Sequence, residues 1–95
     1  MNTYDIAIIF HPSLSDEEAK KYAETLEKKI KDPLKGKVLS KEDWGRRNLT
    51  YKISHQNMGY YYFIQAEIDS VQIKKLETDM NLDKKILRHL INKLA

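Results

Sequence analysis

At 95 residues the chain encloses one hydrophobic core and leaves no room for a second folded unit. With 41% apolar and 33% charged residues it is too apolar for intrinsic disorder, and the absence of cysteine excludes a disulfide framework or a thiolate metal site. The net charge of +3 is too small to point to a polyanionic partner by itself.

The residues from Tyr4 to Phe10 carry a period-two apolar set, Tyr4, Ile6, Ile8 and Phe10, and His11-Pro12 stops it, which predicts a buried strand. Ser15-Asp16-Glu17-Glu18 fits a capping box, the Ser15 hydroxyl taking the free amide three residues on while Glu18 reaches back. A helix follows, with Ala19, Tyr22, Ala23, Leu26 and Ile30 at helical spacing. Glu17 with Lys21, Glu24 with Lys28 and Glu27 with Lys31 are favourable pairs four apart, and Pro33 and Gly36 end the helix. From Lys37 to Ile53 helical spacing is lost and Leu49, Tyr51 and Ile53 alternate, which predicts an extended strand interrupted near Gly45 by a bulge. A hairpin turn is expected over Ser54 to Gly59.

Tyr60 to Ile68 is the clearest strand. Tyr60, Tyr62, Ile64, Ala66 and Ile68 share one face, and Tyr61, Phe63, Gln65 and Glu67 share the other. Ser70 is placed to cap a second helix bearing Ile73, Leu76 and Met80, with Asn81 as its terminator, and Ile86 to Leu94 reads as a last strand. The longest apolar runs, from Ile6 to Phe10 and from Tyr60 to Ile64, are too short to cross a bilayer, and Asp5 interrupts a signal-peptide reading, so a soluble protein is expected.

The order βαββαβ with right-handed crossovers predicts an α+β domain over residues 1–95: a four-stranded antiparallel sheet with two helices on one face, the ferredoxin-like architecture. One face of the sheet is then open, and function is expected there and at its rims.

Three histidines, His11, His55 and His89, fall at a strand end, in a turn and in the last strand without metal-like spacing, and no glycine-rich phosphate loop exists. No catalytic residue, metal or cofactor is therefore expected. The positive charge is instead placed late: Lys35 to His55 holds six bases and two acids, and Asp83 to Lys93 holds four bases and one acid. Within the first of these, Arg46 and Arg47 are adjacent in a strand and must point to opposite faces, one over the open face and one toward an edge, where a guanidinium grips phosphate or stacks on a base.

Tyr61 and Phe63 are the aromatic residues expected on the open face. The match of Gly59-Tyr60-Tyr61-Tyr62-Phe63 to the base-stacking strand of the RNA recognition motif is only partial. Met58 stands where a basic residue belongs, Tyr61 where a small one belongs and Gln65 where an aromatic one belongs. The last strand adds Lys84, Lys85, Arg88 and Lys93, a basic edge suited to a phosphate backbone.

Taken in order, Tyr4-Asp5-Ile6, Trp44-Gly45-Arg46-Arg47, Leu49-Thr50-Tyr51-Lys52-Ile53, Gly59-Tyr60-Tyr61 and Ile86-Leu87-Arg88-His89-Leu90 resemble the ribosomal protein S6 family of the bacterial small subunit over nearly the whole chain. The resemblance departs at Asn48, where relatives often carry another basic or polar residue, and at Thr50, where alanine is common. The chain ends at Ala95, short of the tail many members carry, so contacts made by such a tail are not transferred.

The resemblance implies a ferredoxin-like, non-enzymatic assembly protein of cytoplasmic ribosomes, with an organellar ribosome left open. It implies binding to the central domain of small-subunit rRNA together with ribosomal protein S18. On that reading Arg46, Arg47, Lys52 and Arg88 face a structured rRNA junction, Lys85 and Lys93 add to the basic edge, and Tyr4, Tyr61 and Phe63 line the RNA or protein contact. Two other readings share the architecture: a protein-interaction or ligand-sensing module that docks another sheet, and an acylphosphatase-type hydrolase. The hydrolase needs an arginine in the loop after the first strand, which here reads His11-Pro12-Ser13-Leu14.

Overall fold

The computed structural model describes residues 2–32, 34–53 and 56–94, and the side chains of all of these but residues 50–53. The elements are β1 (Asn2–Phe10), α1 (Asp16–Lys31), β2 (Lys37–Ile53), β3 (Gln56–Ile68), α2 (Ser70–Leu82) and β4 (Ile86–Leu94). The four strands form one antiparallel sheet in the order β2-β3-β1-β4, so the two most apolar strands lie at its centre.

Alternation decides which face is buried. On β1, Tyr4, Ile6, Ile8 and Phe10 point to the helices, and on β3 Tyr60, Tyr62, Ile64, Ala66 and Ile68 do the same. They meet Ala19, Ala23, Leu26 and Ile30 of α1 and Ile73, Leu76 and Met80 of α2 in a single core. Each fully buried Ile or Phe contributes roughly 1.5–3 kcal/mol. Tyr22 lies at the margin, its ring edge-on to Phe10 at 5.4 Å.

The capping box at Ser15 forms as the sequence predicts, with Glu18 N donating to Ser15 Oγ and Ser15 N to Glu18 Oε1. Glu18 is held below the ordinary carboxylate value, first by the bond from the Ser15 backbone and then by that from its hydroxyl. Glu27 does not pair with Lys31. It turns to the sheet instead, accepting from Tyr62 Oη at 2.7 Å and pairing with Lys41 at 3.2 Å, because its place on α1 overhangs β2 and β3.

Three local expectations change. The bulge at Gly45 is present, but β3 already begins at Gln56, paired with Ile53, so the expected turn over Ser54 to Gly59 is mostly strand. Ser54 and His55 lie outside the described residues, as does Pro33. Helix α2 is capped by Asp69 and not Ser70: the Asp69 carboxylate accepts from Val71 N at 3.1 Å, and Ser70 becomes the first helical residue. The helix also runs past Asn81, to Leu82.

Candidate nucleic-acid interface

The open face is best described in rungs, each a row of residues paired across the four strands. Gly45, Tyr61, Ile9 and Arg88 form one rung; Glu42, Phe63, Ala7 and Leu90 form the next; Ser40, Gln65, Asp5 and Asn92 form the third. Arg47 opposite Gly59 extends the face beyond the first rung. One end of the open face is therefore basic and aromatic, and the middle is apolar and acidic.

Gly45 makes this surface possible. Its φ of 74° is a left-handed conformation that glycine adopts without strain. The register of β2 against β3 slips between Asp43 and Gly45, leaving Trp44 as the extra residue. Released from pairing, Trp44 lies over the face, stacked on Tyr61 at 6.5 Å with 17° between the planes and edge-on to Phe63 at 4.6 Å. Asp43 holds the bulge from the helix side, accepting from Gly45 N at 3.0 Å and from Tyr60 Oη at 2.7 Å. Burial, and then the Asp43 acceptor, push the Tyr60 hydroxyl far above its usual pKa.

The two arginines are divided as alternation requires, and their roles differ. Arg47 stands on the open face, its guanidinium 5.2 Å from the Trp44 ring and its Nε donating to Trp44 O at 3.3 Å. Arg46 goes to the helix side. Its Nε donates to Asp16 Oδ1 at 2.8 Å, Nη1 to Pro12 O at 2.9 Å and Nη2 to Leu14 O, so it ties the β1–α1 loop to β2. That loop is occupied internally, with Ser13 N donating to His11 Nδ1 at 3.1 Å, and it offers no arginine of its own to a phosphate.

Of the predicted site residues, Arg47, Arg88, Tyr61 and Phe63 share the open face. Lys85 lies at the same end but on the helix side, with Nζ 5.6 Å from the Tyr22 ring. Tyr4 is corrected most clearly: it is 5% exposed because its alternation set is the core set, and it is therefore not a surface contact. Lys93 pairs with Tyr4 at the opposite end, away from the arginines. The side chain of Lys52 lies outside those described.

Trp44 and Leu90, 47% and 53% exposed, were missed as surface residues. The glycine after Trp44 signalled the bulge but not the direction the ring would take. Leu90 was legible, being in alternation with Arg88.

Among the described residues no helix is long and apolar enough to cross a membrane, and no group of three or more His, Cys, Asp or Glu is placed to hold a metal ion.

The fold places the chain in the class of ferredoxin-like α+β domains, with an aromatic cluster and an arginine over it on the open face of the sheet. Comparison with known proteins narrows the class. The family described as ribosomal protein S6 matches residues 3–93. The small ribosomal subunit protein bS6 of Azobacteroides pseudotrichonymphae is 40% identical over 93 residues, covering 95% of this chain and 80% of that protein. The protein of the same name from Christiangramia forsetii is 37% identical, covering 99% and 83%. The crystal structure of 30S ribosomal protein S6 from Thermotoga maritima superposes with a TM-score of 0.91 at 27% identity, covering 98% of this chain and 87% of that one. The chain belongs to the ribosomal protein S6 family of the small ribosomal subunit.

Proposed function

We propose that the protein is a structural constituent of the small subunit of cytoplasmic ribosomes that binds the central domain of small-subunit rRNA together with ribosomal protein S18. The observation that carries this reading is the Arg47–Trp44–Tyr61 stack on the open face, with Arg88 on the same rung as Tyr61.

A guanidinium already held over an indole has little freedom left for phosphate binding to restrict, and it presents a fork of donors suited to a phosphate. Arg47, rather than Arg46, is the residue so poised, because the guanidinium of Arg46 is committed within the fold. With Tyr61 and Phe63 partly covered by Trp44, the surface does not offer a row of free rings on which bases stack in succession. Recognition then rests on the shape of a folded junction and on its backbone.

The test is the affinity of the full chain for a central-domain rRNA junction fragment in the presence of ribosomal protein S18, measured against salt. Binding is expected to weaken steeply as salt rises, and Arg47→Ala to lower affinity and flatten the slope by about one unit. Binding that ignores salt, or an Arg47→Ala protein that binds as the parent does, would overturn the reading.

A further inference from the structure

The bulge in β2 decides which of the two adjacent arginines stands on the open face. Before it Glu42 pairs with Phe63 and Asp43 with Tyr62; after it Gly45 pairs with Tyr61 and Arg47 with Gly59. Had the ladder continued unbroken, Trp44 would stand opposite Tyr61 and Arg46 opposite Gly59. Side chains alternate with period two, so that single step would exchange the arginines, bringing Arg46 to the open face and turning Arg47 toward the helices. The place of Arg47 is thus a property of the extra residue, and whatever fixes the bulge fixes Arg47.

One carboxylate spans the bulge with both of its oxygens. Asp43 Oδ1 accepts from the Gly45 amide at 3.0 Å, which closes the turn within β2, and Oδ2 accepts from Tyr60 Oη at 2.7 Å, which ties that turn to β3. On the opposite face the looped-out Trp44 holds Arg47, its carbonyl accepting from Arg47 Nε at 3.3 Å and its ring lying 5.2 Å from the guanidinium. Resting on the reading above, we infer that Asp43, anchored by Tyr60, is a positioning residue for the RNA contact, acting from the helix side of the sheet through Trp44 on Arg47. Its own charge opposes a polyanion, so what it contributes to binding is geometry.

The test is the affinity of the full chain for the junction fragment, with ribosomal protein S18 in excess, at a temperature where circular dichroism shows each variant folded. Asp43→Ala is expected to weaken binding by about three- to tenfold, the equivalent of one hydrogen bond, although it removes a negative charge. Asp43→Asn removes the same charge but keeps an oxygen for the Gly45 amide, and is expected to bind at least as tightly as the parent. Tyr60→Phe loses only the tie to β3 and should fall between the parent and Asp43→Ala. In an Arg47→Ala background the losses from Asp43→Ala and Tyr60→Phe should vanish, a coupling that a general disturbance of the fold would not produce.

Undiminished binding by Asp43→Ala, an equal loss in Asp43→Asn, or losses that persist in full beside Arg47→Ala would overturn the positioning role and leave the proposed function standing. A parent protein that does not bind the fragment, or an Arg47→Ala protein that binds as the parent does, would overturn that function and this inference with it. Should Asp43→Ala fail to fold, Tyr60→Phe with and without Arg47→Ala carries the same test.

Discussion

Replacing each of the two adjacent arginines separately should separate stability from binding. In Arg46→Ala three hydrogen bonds are lost. The bond to Asp16 is an exposed ion pair, its carboxylate 63% accessible, and contributes at most about 0.5 kcal/mol after solvent screening. The two bonds to the carbonyls of Pro12 and Leu14 are partly buried and worth about 1 kcal/mol each. Together these predict a loss of about 2 kcal/mol, or roughly 10 °C in Tm for a domain of this size. Arg47→Ala removes only an exposed contact with Trp44 and should cost about 0.5 kcal/mol or less. Urea unfolding followed by circular dichroism measures both, and the rRNA titration is run on the same samples at a temperature where both variants are folded. The expected pattern is a destabilised Arg46→Ala protein that still binds and a stable Arg47→Ala protein that binds weakly. Equal stability losses, or an RNA defect confined to Arg46→Ala, would refute the assignment of opposite faces to opposite tasks.

Ser15→Ala should cost about 1 kcal/mol in chemical unfolding by removing the capping hydroxyl. Because Glu18 titrates below its unfolded value of 4.5, the stability it adds is present above that value and is lost as pH falls through the lower folded one, a loss that shrinks in the Ser15→Ala protein. Tyr60 and Tyr62 are raised above the ordinary 10.0 by burial and by their carboxylate acceptors, so their contribution is constant below that pH and declines above it. Ultraviolet titration should show both ionising only as the protein unfolds, whereas native ionisation near the ordinary value would contradict the buried hydrogen bonds. Gly59→Ala should destabilise by about 1–3 kcal/mol, since the added methyl meets Ile9 Cγ2 inside contact distance and Ile9 is held between β3 and β4. A urea midpoint equal to the parent's would show that Ile9 yields freely.

The order of elements, the buried set of β1 and β3, the Ser15 cap and the bulge at Gly45 were all legible because each rests on a local rule: period two, period 3.6, or a glycine where only glycine is unstrained. The ends of elements were less so. Asp69 and Ser70 are both good caps, and the choice between them depends on where β3 lets go of the sheet. The paired course of β3 from Gln56 depends on a partner strand that no local window contains.

The candidate surface divided along the same line. That Arg46 and Arg47 face apart was readable, but which faces the helices depends on the register shift at Trp44, and the commitment of Arg46 to Pro12, Leu14 and Asp16 is a contact between segments about thirty residues apart. Tyr4 shows a conflict between two readings of one residue. Its place in the alternation already assigned it to the core, and the family resemblance drew it toward the surface.

The pairing of β1 with β4, in which Thr3 stands opposite Leu94, stitches the two ends of the described chain together across the sheet. During synthesis β1 is thus completed by β4, the strand of this sheet made furthest after it. Once β3 has emerged, β1 is covered on one edge only, and its other edge keeps its backbone donors and acceptors unmatched until β4 follows. At ordinary elongation rates the stretch from Asp69 to Leu94 takes roughly 1 to 5 s to add. For that interval the nascent chain carries an open apolar strand beside a half-built core, and substitutions that slow or weaken β4 will show first as aggregation of new chains and only later as a lowered Tm.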